Sequence, residues 1–210
     1  MKKYRFYLRK SSFKKDLKNA NLLLELIYKY KPTNFLEVGV LEGVTSRNIC
    51  ELLYDLHGKK FNFTGIDLFG EDLKENNQKE FTPISNKISN PFKWFFFKIM
   101  LRLDPHSKKC VEYLLRDFKN MTCIYQGYSK EILNKIDLNN IDFTFLDGGH
   151  SYETVKDDLN ILTSKLRNDS IIVCDDYNID HYGVKEAVDE IKINHYFDDF
   201  GRFALIKIKK

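Results

Sequence analysis

The sequence is poor in cysteine, proline and glycine, with four, four and ten of them among 210 residues. The cysteines, Cys50, Cys110, Cys123 and Cys174, are scattered and include no Cys-x-x-Cys pair. That argues against a disulfide scaffold and sets a reducing, cytoplasmic compartment as the expectation. Little proline and glycine, with 43% hydrophobic and 30% charged residues, excludes collagen, wholesale disorder and a membrane bundle. No apolar signal-peptide core follows the N-terminus, and there is no internal repeat or low-complexity tract. A chain of 24.9 kDa is expected to form one domain with one elaboration.

The net charge of +4 is modest but unevenly placed. Lys2, Lys3, Arg5, Arg9, Lys10, Lys14, Lys15 and Lys18 crowd the start of the chain against Asp16 alone. Such a basic arm is expected to be solvated; what it could otherwise meet is phosphate, an anionic membrane surface or, least favoured, nucleic acid.

From Thr33 onward, short apolar runs alternate with segments of helical period, the pattern of an α/β fold with a parallel sheet. Strands are expected over 34–40, 61–67, 121–126, 141–147 and 170–175, with a closing hairpin over 194–200 and 203–209 around Gly201. Helices are expected after the first strand, with Ile49, Leu52, Leu53 and Leu56 on one face and Gly58 as C-cap, and over 129–136 and 151–166. A last helix carries Val184, Val188 and Ile191. Residues 1–32 read as the basic arm and a leading helix, and 70–120 as an insertion too long for a single crossover. Within it, Val111, Leu114, Leu115 and Phe118 have helical spacing and supply the crossover helix. The aromatic run 91–103 is interrupted by Lys93, Lys98 and Arg102 and is too short to span a bilayer. It could be a substrate lid, an oligomer contact, an interfacial helix or an insertion packed on its own domain.

In an open parallel sheet, ligands bind beyond the carboxyl ends of the strands, so the residues ending each strand are the informative ones. The first strand ends in Glu37, Gly39 and Gly43, where glycine admits a close ligand and a helix N-terminus offers unpaired amides. The second ends in Asp67, placed to accept hydrogen bonds from ribose hydroxyls. A G-x-G-x-x-G spacing is absent, which favours a nucleoside over a pyrophosphate dinucleotide. The third ends in Gly127, Tyr128 and Ser129, with Tyr128 offering a stacking face. The fourth ends in Asp147-Gly-Gly-His150 and the fifth in Asp175-Asp176-Tyr177. If those two strands are neighbours, three carboxylates converge, and oxygen donors of that number suit Mg²⁺, Mn²⁺ or Ca²⁺ better than zinc. His150 could reach the same site as a general base.

Taken together, these strand ends and the run Asp147-Gly-Gly-His-Ser-Tyr-Glu153 with Asp175-Asp-Tyr177 resemble the class I S-adenosylmethionine-dependent methyltransferases. More narrowly, they are similar to the macrocin- and catechol-type O-methyltransferases that act on sugars and other small molecules. The resemblance implies a Rossmann-like doubly wound sheet of seven strands, order 3-2-1-4-5-7-6, with the last strand antiparallel. It also implies S-adenosylmethionine and a divalent metal, Mg or Mn, as cofactors, and the hydroxyl of a small molecule or glycan as acceptor. Glu37, Gly39 and Gly43 would lie under the methionine part, Asp67 would hold the ribose, Tyr128 and Ser129 would flank the adenine, and Asp147 would border the cofactor. Asp147, Asp175 and Asp176 would be the metal ligands and His150 the base. A vicinal diol, a sugar by preference, fits a chelating acceptor, and a homo-oligomer is compatible with the aromatic run. The other readings are an oxidoreductase with a nucleotide cofactor and a noncatalytic nucleoside-binding module; only the latter has no use for the carboxylate trio.

Overall fold

The computed structural model describes residues 2–69, 88, 90–179 and 183–210. The expectation of an insertion thus falls in part, at 70–87 and 89, outside the described residues. Helix α1 (Leu17–Tyr30) leads into β1 (Asn34–Val38), α2 (Val44–His57) and β2 (Asn62–Asp67). A short α3 (Pro91–Trp94) runs directly into a π-helix (Phe95–Leu101), and α4 (Lys108–Leu114) follows. The chain continues as β3 (Thr122–Gln126), α5 (Ser129–Lys135), β4 (Phe143–Leu146), α6 (Tyr152–Lys165), β5 (Ile171–Cys174), α7 (Val184–Ile191), β6 (Tyr196–Phe200) and β7 (Phe203–Lys207).

The strands form one sheet in the order β3-β2-β1-β4-β5-β7-β6. The first five are parallel, and β7 runs antiparallel to both β5 and β6. Both faces are covered, so β4 (Phe-Thr-Phe-Leu) and β5 (Ile-Ile-Val-Cys) are apolar almost throughout and wholly buried. Strand alternation divides the core in two. Phe35, Phe63, Phe143, Val173 and Leu205 pack under α1, α2 and α4, whereas Leu36, Ile66, Leu146, Ile172 and Ile206 pack under α5, α6 and α7. On the first face Phe35 stacks on its register partners Phe63 and Phe143, with ring centroids 6.0 and 5.2 Å apart.

Three departures from the sequence reading bear on the site. Strands β1, β4 and β5 stop one or two residues earlier than expected at their carboxyl ends, whereas β2 and β3 end where expected, at Asp67 and Gln126. After Val38 the backbone enters the left-handed region at Gly39 (φ 94°) and Leu41 (φ 54°), which turns the chain out of the sheet. The aromatic run is seated on the domain by one ring and otherwise faces outward. It buries Phe97 alone and exposes Phe92 (82%), Trp94, Phe95, Ile99 and Met100 (65%). Among the described residues, no helix is long and apolar enough to cross a membrane.

The third departure concerns the basic arm, which is not a solvated tail. Most of its cations point outward, whereas Tyr4 and Phe13 are buried. The Tyr4 hydroxyl bonds with Thr45 Oγ1 at 2.8 Å and Ser11 Oγ at 3.0 Å. Asn48 accepts from the Arg5 amide at 2.8 Å and donates back to the Arg5 carbonyl at 2.9 Å. Phe13 packs on Phe145 and Phe203. The arm therefore crosses the α2 face of the sheet and reaches the carboxyl ends of the strands.

Candidate active site

The turn after β1 has no space for side chains at its centre. A Cβ on Gly39 would lie 1.8 Å from the Asp147 carbonyl oxygen, so only glycine lets β1 and β4 approach there. Gly43 begins α2 without a side-chain cap, and the first amides of the helix remain available to a ligand. Beneath this turn Glu37 is fully buried and accepts a hydrogen bond from Ser46 Oγ on one oxygen. Its other oxygen, Oε1, has no partner among the described residues. Burial, helped by the charge of Asp67, pushes the Glu37 carboxyl up to about 8.

Asp67 ends β2 and braces two loops, accepting from the Leu41 amide at 2.8 Å and the Phe69 amide at 2.7 Å. Burial raises its pKa while these backbone donors oppose the rise. The carboxylate thus lies beside the glycine turn, where the sequence reading puts it. Gly127 follows β3 with φ 140° and donates to the Asp67 carbonyl at 3.0 Å. Tyr128 is partly exposed at the start of α5. The Ser129 hydroxyl, at the first residue of α5, donates to Asp158 on α6 at 2.8 Å. That contact ties α5 to α6.

At the ends of β4 and β5 the three expected carboxylates are divided between two tasks. Asp175 is 2% exposed and is gripped by Arg202, Nε to Oδ1 at 2.5 Å and Nη2 to Oδ2 at 2.6 Å. The cation that answers Asp175 here is a guanidinium of the chain itself. Asp147, His150 and Asp176 instead bring ligand atoms within 4.8 Å of one another. His150 Nε2 is 3.2 Å from Asp176 Oδ2. Asp176 takes a left-handed conformation (φ 55°), one that aspartate tolerates better than most residues. Burial first, and then the charges of Asp175 and Asp176, hold the Asp147 carboxyl well above the usual carboxylate range. Ser12 from the arm donates to Asp147 Oδ2 at 3.1 Å.

Two adjoining clefts share Asp147. One is lined by Gly39, Val44, Thr45 and the arm residues Lys10, Ser11 and Ser12. The other is lined by Gly148, Gly149, His150, Asp175 and Asp176. Arg202 and the arm were missed by the sequence reading. The signal for the arm was present in Tyr4, Tyr7 and Phe13 spaced among the lysines. The signal for Arg202 was its position beside Gly201, at the start of the reversed strand.

A seven-stranded sheet with this order, one reversed strand and a glycine turn beneath α2 defines the Rossmann-like fold of S-adenosylmethionine-dependent methyltransferases. The profile of the methyltransferase domain matches residues 36–177, and the chain belongs to that family. Among solved structures it is similar to the O-methyltransferase TomG from Streptomyces achromogenes, in complex with S-adenosylmethionine. That match has 12% identity and a TM-score of 0.64, and covers 93% of this chain and 81% of that one. CalS11, a calicheamicin methyltransferase, matches at 15% identity and TM-score 0.64, covering 94% and 81%. The O-methyltransferase from Bacillus cereus in complex with S-adenosylhomocysteine matches at 12% and 0.58, covering 91% and 80%. Likenesses at this level of identity establish the fold. No curated protein matches the chain in sequence.

Proposed function

We propose that the protein transfers the methyl group of S-adenosylmethionine to a hydroxyl of a small molecule, a sugar or another vicinal diol, within a single domain carrying 70–120 as its insertion. The observation that carries this reading is the pair of clefts meeting at Asp147, one suited to a nucleoside with an amino-acid tail and the other acidic with a histidine. In the first, the unpartnered Glu37 Oε1, the uncapped start of α2 and the absence of space for a Cβ at Gly39 suit a closely approaching cofactor with both charged and polar groups. Asp67 would receive the ribose, and Tyr128 would border the adenine. CalS11, described as a TDP-rhamnose 3′-O-methyltransferase, lends the sugar reading support by analogy of fold.

The second cleft fits a divalent cation. Asp147 and Asp176 are carboxylates held close together, and Asp147 is charge-frustrated by its neighbours. Mg²⁺ commonly takes one or two carboxylates and keeps its waters, so these two would hold it and leave His150 as a base. A bound cation would orient and acidify a hydroxyl. His150 would take the hydroxyl proton, and Asp176, 3.2 Å from its Nε2, would stabilise the imidazolium so formed. Bound in the first cleft, S-adenosylmethionine would supply an electrophilic sulfonium methyl to the acceptor oxygen in line, with S-adenosylhomocysteine as the leaving group.

Methyl transfer from radiolabelled S-adenosylmethionine to a panel of sugar and catechol-like diols tests the reading. EDTA is expected to abolish turnover and Mg²⁺ or Mn²⁺ to restore it. His150→Ala should lose roughly 10²-fold in kcat while still binding S-adenosylhomocysteine. Full activity in EDTA would remove the metal from the proposal, and normal turnover of His150→Ala would remove the base.

A further inference from the structure

Three segments distant in sequence meet on one buried carboxylate. Glu42 lies in the turn between β1 and α2, is 0% exposed, and has no role in the chemistry above. Its Oε2 accepts from the Lys10 amide at 2.6 Å and from Lys93 Nζ at 3.0 Å. Its carbonyl accepts from Arg9 Nη1 at 3.2 Å. Arg9 also donates to the Cys110 carbonyl at 3.0 Å and lies over the Phe97 ring, 5.2 Å from its centroid. The arm, the aromatic helix and the start of α4 are thus joined at this point. His106 Nδ1 approaches Glu42 Oε1 to 3.4 Å without forming a hydrogen bond. Burial holds the His106 pKa below its usual value, and Lys93, at 3.0 Å, is the charge that answers Glu42.

A buried carboxylate is costly unless every lone pair is used, and here the partners fix the register of the arm. Lys10, Ser11 and Ser12 therefore stand as a wall of the cleft, opposite Gly39 and beside the uncapped start of α2. A carboxylate on a ligand in that cleft is drawn to the same place, by the helix N-terminus and by the positive arm.

Resting on the methyl-transfer reading, we propose that Glu42 is a positioning residue for the cofactor: it clamps the arm so that Lys10, Ser11 and Ser12 enclose the amino-acid end of S-adenosylmethionine. Two ligands separate this role from a structural one. S-adenosylhomocysteine carries the amino-acid end, and methylthioadenosine has the same nucleoside without it. By calorimetry, Glu42→Gln should weaken S-adenosylhomocysteine about tenfold, the scale of lost hydrogen bonds to a charged group, and leave methylthioadenosine unchanged. Amide exchange over 8–13 should quicken in the same variant. If Glu42→Gln does not fold, Lys93→Met removes one partner only and should shift the ratio of the two affinities in the same direction. Equal weakening of both ligands, or no change in either, would overturn the proposal. Wild-type protein that binds neither ligand would instead defeat the methyl-transfer reading, and the clamp's purpose with it.

Discussion

Arg202 holds Asp175 through two parallel N–H···O contacts, touches Asp176 at 3.4 Å and Asp16 at 3.4 Å, and lies over the Phe13 ring. Breaking a buried pair from one side leaves the other charge uncompensated, which costs more than the pair contributes when whole. Arg202→Met is therefore expected to lower unfolding stability by about 3 kcal/mol, and adding Asp175→Asn should return much of it, both read from urea titrations. Glu37 makes a second residue-scale prediction, through pH. Its folded pKa of about 8 lies above the ordinary 4.5, so the folded protein binds this proton more tightly than the unfolded chain does. The stability this gives the ligand-free protein is complete below the unfolded value and is lost as pH rises towards about 8. Glu37→Gln should flatten that decline in Tm, measured by calorimetry between about pH 5 and about pH 9, and a decline of wild-type steepness in the variant would contradict it.

Helices and strands of this fold were mostly legible because their apolar spacing is unambiguous. Ile49, Leu52 and Leu53 mark the buried face of α2, and Val155, Leu159 and Leu162 that of α6. Strand ends were less so, since a turn such as Gly39–Gly43 is set by what the neighbouring strand leaves room for, and Asp147 is that neighbour. From sequence the aromatic helix has four readings, as a lid, an oligomer contact, an interfacial helix or an insertion packed on its own domain, and what seats it is the buried Phe97 ring under Arg9 and the Lys93 ammonium on Glu42. Its outward face adds little to folding. Replacing Phe92, Phe95 and Ile99 together by serine should leave unfolding stability within about 1 kcal/mol, as at other surface positions. If the exposed face serves the acceptor or a second copy, the same variant will lose acceptor turnover or self-association, assayed by kinetics and by sedimentation. A large drop in stability would instead show that the helix is part of the core.

Across the whole molecule, the site depends on contacts that no local pattern announces. The motifs that follow β1, β2, β4 and β5 could be read because each is short, though the strands' last residues could not, whereas the arm's lysines disguised a packed segment and Arg202 required knowing which strand reverses. Phe13 measures how far the arm is part of the body. It is wholly buried against Phe145 and Phe203, so Phe13→Ala should cost about 3 kcal/mol in a urea titration, where a solvated tail would give almost nothing. The reversed direction of β7 has a further effect, on the order of events during synthesis. Because that strand starts where its neighbours stop, Arg202 arrives at the rim beside Asp16, a residue 186 positions earlier. A ribosome delivers Asp16, Asp147 and Asp175 well before their guanidinium exists. A nascent chain that stops short of residue 202 holds its acidic rim unneutralised and its arm without a partner on β7. Activity should therefore switch on abruptly with chain length, and not grow with it.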